Sequence, residues 1–448
     1  HNADADAQAL ADGEVDGNTR FNLESWRIRR FGGSSHHWAG LCQPLRACDF
    51  EVRDWFPESG WPFGLTDLMP YYRLAQTRLE LPRFAYDSLA LESADRAFSA
   101  PGFQTDFYQF SPPTRYSTRY RDALAASADA TVMLDATATE LVLESGHDRI
   151  SHVEVRSLSG ASFRVEAERT VLATGGIDNA RLLLASRAQR PDGVANGAGL
   201  VGRYFMEHPH LYEGPVWLWP ESLDRSVYSL TEGLFETEAG EPIRSRVIGL
   251  FGLTDAVRNE EALFDFSADP SRLMDGRGTG GLERDAVAAL LRGAGDAQQL
   301  TLRAEQPPRA ENRVTLSDDR DALGVPRARL TWNVSDDDRR NLLRSVQRLG
   351  AALGAAGAGR LFIEQEGEGI AGRVRPAGHH MGTTRYGRDA TDGVVDEDGR
   401  CFEVPNLYIA GSSVFRTGGR ANPTLTLVAL AERLADHLRG RAYLTEAP

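Results

Sequence analysis

The sequence predicts an α/β fold interrupted by an antiparallel segment, and three observations carry that expectation. Residues 407–410 form a short apolar run ending in a small-residue turn, and past Asn422-Pro423 the residues Leu427, Leu430, Ala431, Leu434 and Leu438 recur at helical spacing until Gly440. Residues 170–174 repeat that grammar: a buried-strand run, a break at Gly175-Gly176, then a helix over residues 177–185. Between them, residues 217–219, 246–253 and 327–332 read as antiparallel strands.

Bulk properties narrow the classes. The chain has 448 residues, 41% of them hydrophobic, enough for two domains or one large α/β unit with a subdomain. A net charge of -14 disfavours a nucleic-acid or anionic-membrane surface and suits a soluble protein. No apolar run is long enough to span a bilayer. Cys42, Cys48 and Cys401 fall in no metal-ligand spacing and suggest no disulfide framework. The sequence contains no lysine, which excludes Schiff-base chemistry, a Walker phosphate loop and a lysine base.

In chain order, the first residues show no initiator Met, no signal-peptide pattern and no strand leading into a Gly-rich turn. Residues 27–45 carry Gly32-Gly33-Ser34-Ser35 and His36-His37-Trp38. Paired glycines let backbone approach a flat ligand closely, and the serines supply short donors. On its own this is also an ordinary turn beside a half-buried His37-Trp38 pair. Residues 49–72 are rich in aromatics and enter a helix after Thr66-Asp67. Residues 131–134 and 139–143 alternate as strands, and 151–155 with 163–166 suggest a hairpin. His208 and His210 invite a metal reading, but no third ligand is suitably spaced, so a structural role is expected. Residues 269–285 are Gly/Arg/Asp-rich and read as a mobile loop; the Gly276–Gly281 cluster within them follows no strand-like run. Residues 336–353 read as an amphipathic helix.

The C-terminal part carries the most information. His379-His380-Met381-Gly382-Thr383 is followed by Gly393-Val394-Val395-Asp396, by Asn406-Leu407-Tyr408-Ile409-Ala410, by Ser413-Val414-Phe415-Arg416-Thr417 and by Ala421-Asn422-Pro423-Thr424-Leu425-Thr426. Taken singly, a histidine pair in a polar loop is solvated surface, and Asn422 before Pro423 is a helix N-cap. The ordered series, however, resembles the C-terminal signature of the glucose-methanol-choline oxidoreductases, which are flavoenzymes. Residues 170–184 resemble the family's second signature, and residues 32–37 its second flavin-contacting loop.

The resemblance implies an FAD-binding Rossmann-like domain with an inserted antiparallel-sheet substrate domain. It implies domain boundaries at residues 1–211 and 371–448 for the two parts of the FAD-binding domain and 212–370 for the substrate domain. His379 would be the catalytic base and Asn422 its partner, with no role for His380. An Asn422 side chain bonded to its own helix could not also hold substrate. FAD would be contacted by Gly32, Gly33, Ser34, Ser35, His37, Ala138, Gly175, Gly411, Ser412, Pro423 and Thr424. Many members have Asp where this chain has Gly411, so that contact is missing or is made by Ser412 or Ser413. In several members the histidine at the place of His37 is joined to the flavin 8α carbon. Here the bond to His37 and simple contact with the flavin edge are both open.

Implied chemistry is oxidation of an alcohol, such as a sugar or polyol, with hydride passing to flavin N5 and an electron acceptor yet to be identified. The strand–Gly-x-Gly-x-x-Gly–helix fingerprint expected in such a fold is not found, which suggests a fragment lacking the first βαβ unit, or a split or degenerate gene. The purified chain is then expected to be largely flavin-free. A non-redox lyase of the same family and a non-catalytic remnant are the competing readings. Oligomeric state and compartment are open.

Overall fold

The computed structural model describes residues 4–19, 21–86, 97–219, 222–273, 298–363 and 374–444. Its largest element is an eight-stranded antiparallel sheet in the order Gly359–Leu361, His210–Leu218, Gln298–Ala304, Phe266–Leu273, Pro242–Leu253, Phe103–Phe110 and Leu41–Cys42, with Thr231–Glu236 also paired to Pro242–Leu253. Residues 247–253 are buried on both faces of the sheet, so they read as a continuous apolar run where a half-solvated strand would alternate. The sheet draws two of its strands, Phe103–Phe110 and Leu41–Cys42, from well ahead of the middle of the chain.

The helix Asp336–Ala355 begins at a capping box. Ser335 Oγ accepts from Asp338 N at 3.1 Å while Asp338 Oδ2 accepts from Ser335 N at 2.9 Å. Its apolar stripe, Leu342, Val346, Leu349 and Leu353, is buried at helical spacing, as the periodicity predicts.

The remaining elements build the α/β part. Thr170–Leu172 pairs in parallel with Leu407–Ile409, and each strand leads into a turn and a helix, Gly175–Ala185 and Thr424–Leu438. Thr137–Leu143, Ile150–Arg156 and Ser162–Val165 form an antiparallel three-stranded sheet. Asn406 fastens this sheet to the parallel pair: its side chain accepts from Ile150 N at 2.8 Å and donates to Ile150 O at 3.0 Å. The helix Leu65–Arg78 packs on Thr424–Leu438 through Tyr72 Oη and Thr426 Oγ1 at 2.8 Å.

Several expectations are corrected. Residues 131–134 form no strand. They meet no partner strand among the described residues, and Val132, Met133 and Leu134 are exposed. Pro326–Thr331 is a strand, but it lies in a separate three-stranded sheet, antiparallel to Arg313–Arg320 and parallel to Gly13–Asp16. The last helix starts at Thr424, with Pro423 in the cap position and no side chain capping it. Gly276–Gly281, and the expected mobile loop from residue 274 on, lie outside the described residues. Among the described residues no helix is long and apolar enough to cross a membrane, and no cluster of side chains is arranged to hold a metal.

Candidate active site

The centre of the site is a short two-stranded ladder. Met206 and Met381 exchange both backbone hydrogen bonds, each at 3.0 Å, in antiparallel register. That register sets Glu207 opposite His380 and His208 opposite His379. Because side chains alternate along extended chain, the two pairs fall on opposite faces. On one face Glu207 Oε1 stands 3.6 Å from His380 Nε2, and the His380 ring packs against Phe21 and Phe205. On the other face His208 Nδ1 lies 2.8 Å from His379 Nδ1, the rings meeting edge to face, with His210 beyond them.

His379 Nε2 points away from His208 and meets Asn422 Nδ2 at 3.3 Å. Asn422 therefore does not cap the helix that follows it, and its Oδ1 is buried with no hydrogen-bond partner. The Asn422 side chain is thus not tied to its own helix. Burial, followed by the charges of His208, His210 and Arg303, pushes the His379 imidazole well below its ordinary range, so it is neutral near neutral pH. Burial likewise lowers His208, and it brings His380 down to about 3. Glu207 moves the opposite way: burial raises its carboxyl to about 8, against the pull of the backbone N–H groups of His379, Ala377, His208 and Gly378.

Beneath this site lies a buried cluster of ion pairs that holds the loop before Asn422. Arg53 binds Glu305 through both guanidinium nitrogens, at 2.9 and 2.8 Å, and Arg258 reaches the same carboxylate at 2.9 Å. Arg258 also meets Asp49 at 2.8 Å, Arg46 meets Asp265 at 2.6 Å, and Arg420 pairs with Asp106. The facing guanidinium groups hold the Glu305 and Asp265 carboxyls below their usual range despite burial. Gly419 donates its N–H to Glu305 at 3.3 Å and offers its carbonyl to His208 Nε2 at 2.9 Å.

On the His380 side of the ladder opens a cleft of about 800 Å³. Gly32, Gly33, Ser34, Ala138, Gly175 and Ser412 line it, so six of the residues singled out in the sequence come together there. Gly175 has φ 92° and starts an 11-residue helix that no side chain caps, so its first N–H groups are free to meet a ligand. A Cβ on Gly176 would stand 2.4 Å from the His380 carbonyl, so only glycine lets that helix approach the ladder. Gly378 and His380 also line the cleft, while the ring of His379, between them in sequence, is engaged with His208 and Asn422. Cleft and histidine pair are therefore neighbours across one strand.

Other expected contacts lie elsewhere. Ser35 Oγ donates to Gly32 O at 2.6 Å, Ser34 Oγ donates to Trp26 O at 3.1 Å, and Ser412 Oγ donates to the His380 carbonyl at 2.6 Å, so all three hydroxyls brace backbone. Ser413 Oγ is bonded to Asn179 Nδ2 at 2.9 Å. His37 is exposed, its ring edge-on to Trp26 and not against Trp38. Gly411 has φ 104° and faces open space. Pro423 and Thr424 sit at the helix start beside Asn422, outside the cleft lining. The sequence reading missed His208, which the register of the ladder brings to His379. Its only signal was the His208-Pro209-His210 triplet.

Comparison with known proteins shows what the chain is similar to. Residues 308–431 match the family model described as GMC oxidoreductase. The chain is 29% identical over 343 residues to 2-methyl-1,2-propanediol dehydrogenase of Mycolicibacterium austroafricanum, covering 74% of this chain and 57% of that protein. It is 28% identical to the fructose dehydrogenase large subunit of Gluconobacter japonicus over 64% of this chain and 50% of that one. It is 27% identical to paromamine 6'-oxidase of Streptomyces fradiae, over 93% and 79%. The chain thus spans little more than half the length of the first two relatives. Among solved structures, pyridoxine 4-oxidase from Mesorbium loti superposes with a TM-score of 0.54 at 17% identity, covering 93% of this chain and 85% of that one. A formate oxidase from Aspergillus oryzae RIB40, solved to examine FAD modification, gives 0.56 at 16%, over 92% and 84%.

Proposed function

We propose that this chain is a glucose-methanol-choline oxidoreductase and that it oxidises the CH–OH group of a small alcohol or sugar with FAD as cofactor, His379 acting as base. The observation that supports this most is the neutral, half-buried His379 whose Nε2 faces Asn422 one strand away from the cleft. The residues of the cleft fit a flat cofactor: Gly175, at positive φ, leaves open space where a side chain would stand, and the uncapped helix N-terminus there suits a polar or anionic group. Gly32, Gly33, Ser34, Ala138, Gly175 and Ser412 would hold FAD. Bound FAD would supply the hydride acceptor, at its N5.

This chain's own residues would do the rest. His379 Nε2 takes the hydroxyl proton, and Asn422 Nδ2 donates to the substrate oxygen as negative charge develops on it. The buried ladder and the ion-pair cluster keep both groups in place before substrate arrives. His37, at the cofactor loop and exposed, is the residue that would carry a covalent flavin bond. Acid precipitation distinguishes the cases, since a covalent flavin stays with the polypeptide and a bound one is released.

The relatives' substrates, a propanediol, fructose and an aminoglycoside, guide the choice of test alcohols. FAD-loaded protein is mixed anaerobically with diols, hexoses and aminoglycosides, and flavin absorbance is followed. Bleaching by at least one alcohol is expected. A flavin that stays oxidised with all of them, while one of them is cleaved, would replace this reading with the lyase one.

A further inference from the structure

The nitrogen-to-nitrogen contact between His208 and His379 constrains where the protons are. Two imidazole nitrogens 2.8 Å apart need one hydrogen between them, and the outer contacts decide whose it is. His208 Nε2 faces the Gly419 carbonyl at 2.9 Å, and a carbonyl can only accept, so His208 carries its hydrogen on Nε2. His208 is fully buried, and burial disfavours its cation. Its Nδ1 is therefore bare, and the hydrogen in the shared contact belongs to His379 Nδ1. A neutral His379 protonated on Nδ1 has a bare Nε2. That is the nitrogen facing the Asn422 Nδ2 donor at 3.3 Å.

We propose that His208 is the positioning residue of this site: it accepts from His379 Nδ1–H, fixes that tautomer, and turns the His379 Nε2 lone pair toward the substrate side. The inference deepens the reading of His379 as base and rests on it. When the hydroxyl proton moves to His379 Nε2, the ring becomes an imidazolium that still donates from Nδ1 to His208. The Gly419 carbonyl cannot take a further proton, so the chain of contacts holds the proton and does not pass it on.

The surroundings are arranged to keep that acceptor in place. A Cβ on Gly418 would stand 3.1 Å from His208 Nε2, so glycine there admits the imidazole to the loop. Gly419, with φ 52°, has its N–H on Glu305, and Glu305 is locked by Arg53 and Arg258. The Met206–Met381 register fixes the other end. The ion-pair cluster thus reaches the base through Gly419 and His208.

Histidine tautomers can be read directly from ¹⁵N-histidine-labelled protein, because the protonated and bare ring nitrogens resonate far apart and long-range couplings to the ring protons assign them. The chain has 10 histidines, and His379→Gln identifies the resonance. In the full chain at neutral pH, His379 is expected to carry its hydrogen on Nδ1 and His208 on Nε2. A His379 hydrogen on Nε2 overturns the proposal, whatever the activity.

Variants supply the second arm. His208→Asn keeps a carbonyl oxygen near the former Nδ1 and should preserve the Nδ1–H signature and most of the rate of flavin reduction in FAD-loaded protein. His208→Phe should lose the signature and slow reduction by about 10–100-fold, the usual cost of removing a partner that orients a functional histidine. Equal rates and unchanged tautomers in both variants would also overturn it. Should His208→Phe fail to fold, the wild-type spectrum decides. If His379→Ala leaves flavin reduction intact, the base reading fails, whichever tautomer the spectrum shows. If only the tautomer is wrong, that reading stands.

Discussion

The two sides of the ladder at Met206–Met381 are built differently. On the His379 side a continuous series of buried contacts runs from Arg53 and Arg258 through Glu305, Gly419 and His208 to the base. On the cleft side the walls are glycine-rich and open, and Val132, Met133 and Leu134 are exposed; away from the cleft lining, Val171 is 40% exposed on the strand Thr170–Leu172. Among the described residues that strand pairs on one edge only, with Leu407–Ile409. The contrast is between side chains held by a chain of buried contacts and a glycine-lined cleft whose walls leave space open.

That contrast can be broken first at the buried cluster. Glu305→Gln leaves Arg53 facing no carboxylate in the interior and takes from Arg258 one of its partners, with Asp49 remaining at 2.8 Å, and should destabilise the protein by about 3–5 kcal/mol in denaturant unfolding. A loss as small as that of a surface substitution would show that the cluster does not hold the site together. Next comes Asn422→Ala, which removes the donor to the developing alkoxide and should cost about 10²–10³-fold in the rate of flavin reduction. Because Asn422 caps no helix, its thermal stability should barely move; a large stability loss would mean a structural role.

The pH dependence of stability sharpens the comparison further. His379, His208 and His380 all have folded-state values below the ordinary histidine value of about 6.5, so the unfolded chain binds their protons first. Their contribution is present above about pH 6.5 and is lost as pH falls below it. Glu207 has the opposite sign: its raised value adds stability in acid that is lost as pH rises through about 8. Melting temperature should therefore carry a loss on acidification below about 6.5 from the histidines, and Glu207→Gln should remove the separate loss that accrues as pH rises from about 4.5 to about 8. The smallest effect is expected on the open wall. Leu134 is 67% exposed, and Leu134→Ser should change stability by no more than about 0.5 kcal/mol.

The difference between the two regions also explains what the sequence could reveal. Local signals worked where the physics is local. The periodic apolar stripe marked the helix Asp336–Ala355, and the Gly175-Gly176 break marked where strand turns to helix. His379 and Asn422 could be singled out only through the family pattern, since a histidine pair in a polar loop carries no signal of burial. His208 was hidden because its role depends on a register between segments 171 residues apart. Residues 131–134 misled for the converse reason: a short apolar run becomes a strand only where an edge is available to receive it.

The central claim is that the ladder sends His379 to chemistry and His380 to structure. It is tested most directly by anaerobic single-turnover flavin reduction in His379→Ala and His380→Ala, both loaded with FAD and mixed with the same alcohol. His379→Ala should slow reduction by about 10²–10⁴-fold, the range expected for loss of a general base, with His380→Ala affected far less. A fall of less than about fivefold in His379→Ala, or a larger loss in His380→Ala, would contradict the account, because the first lies below that range and the second moves the base to the other face.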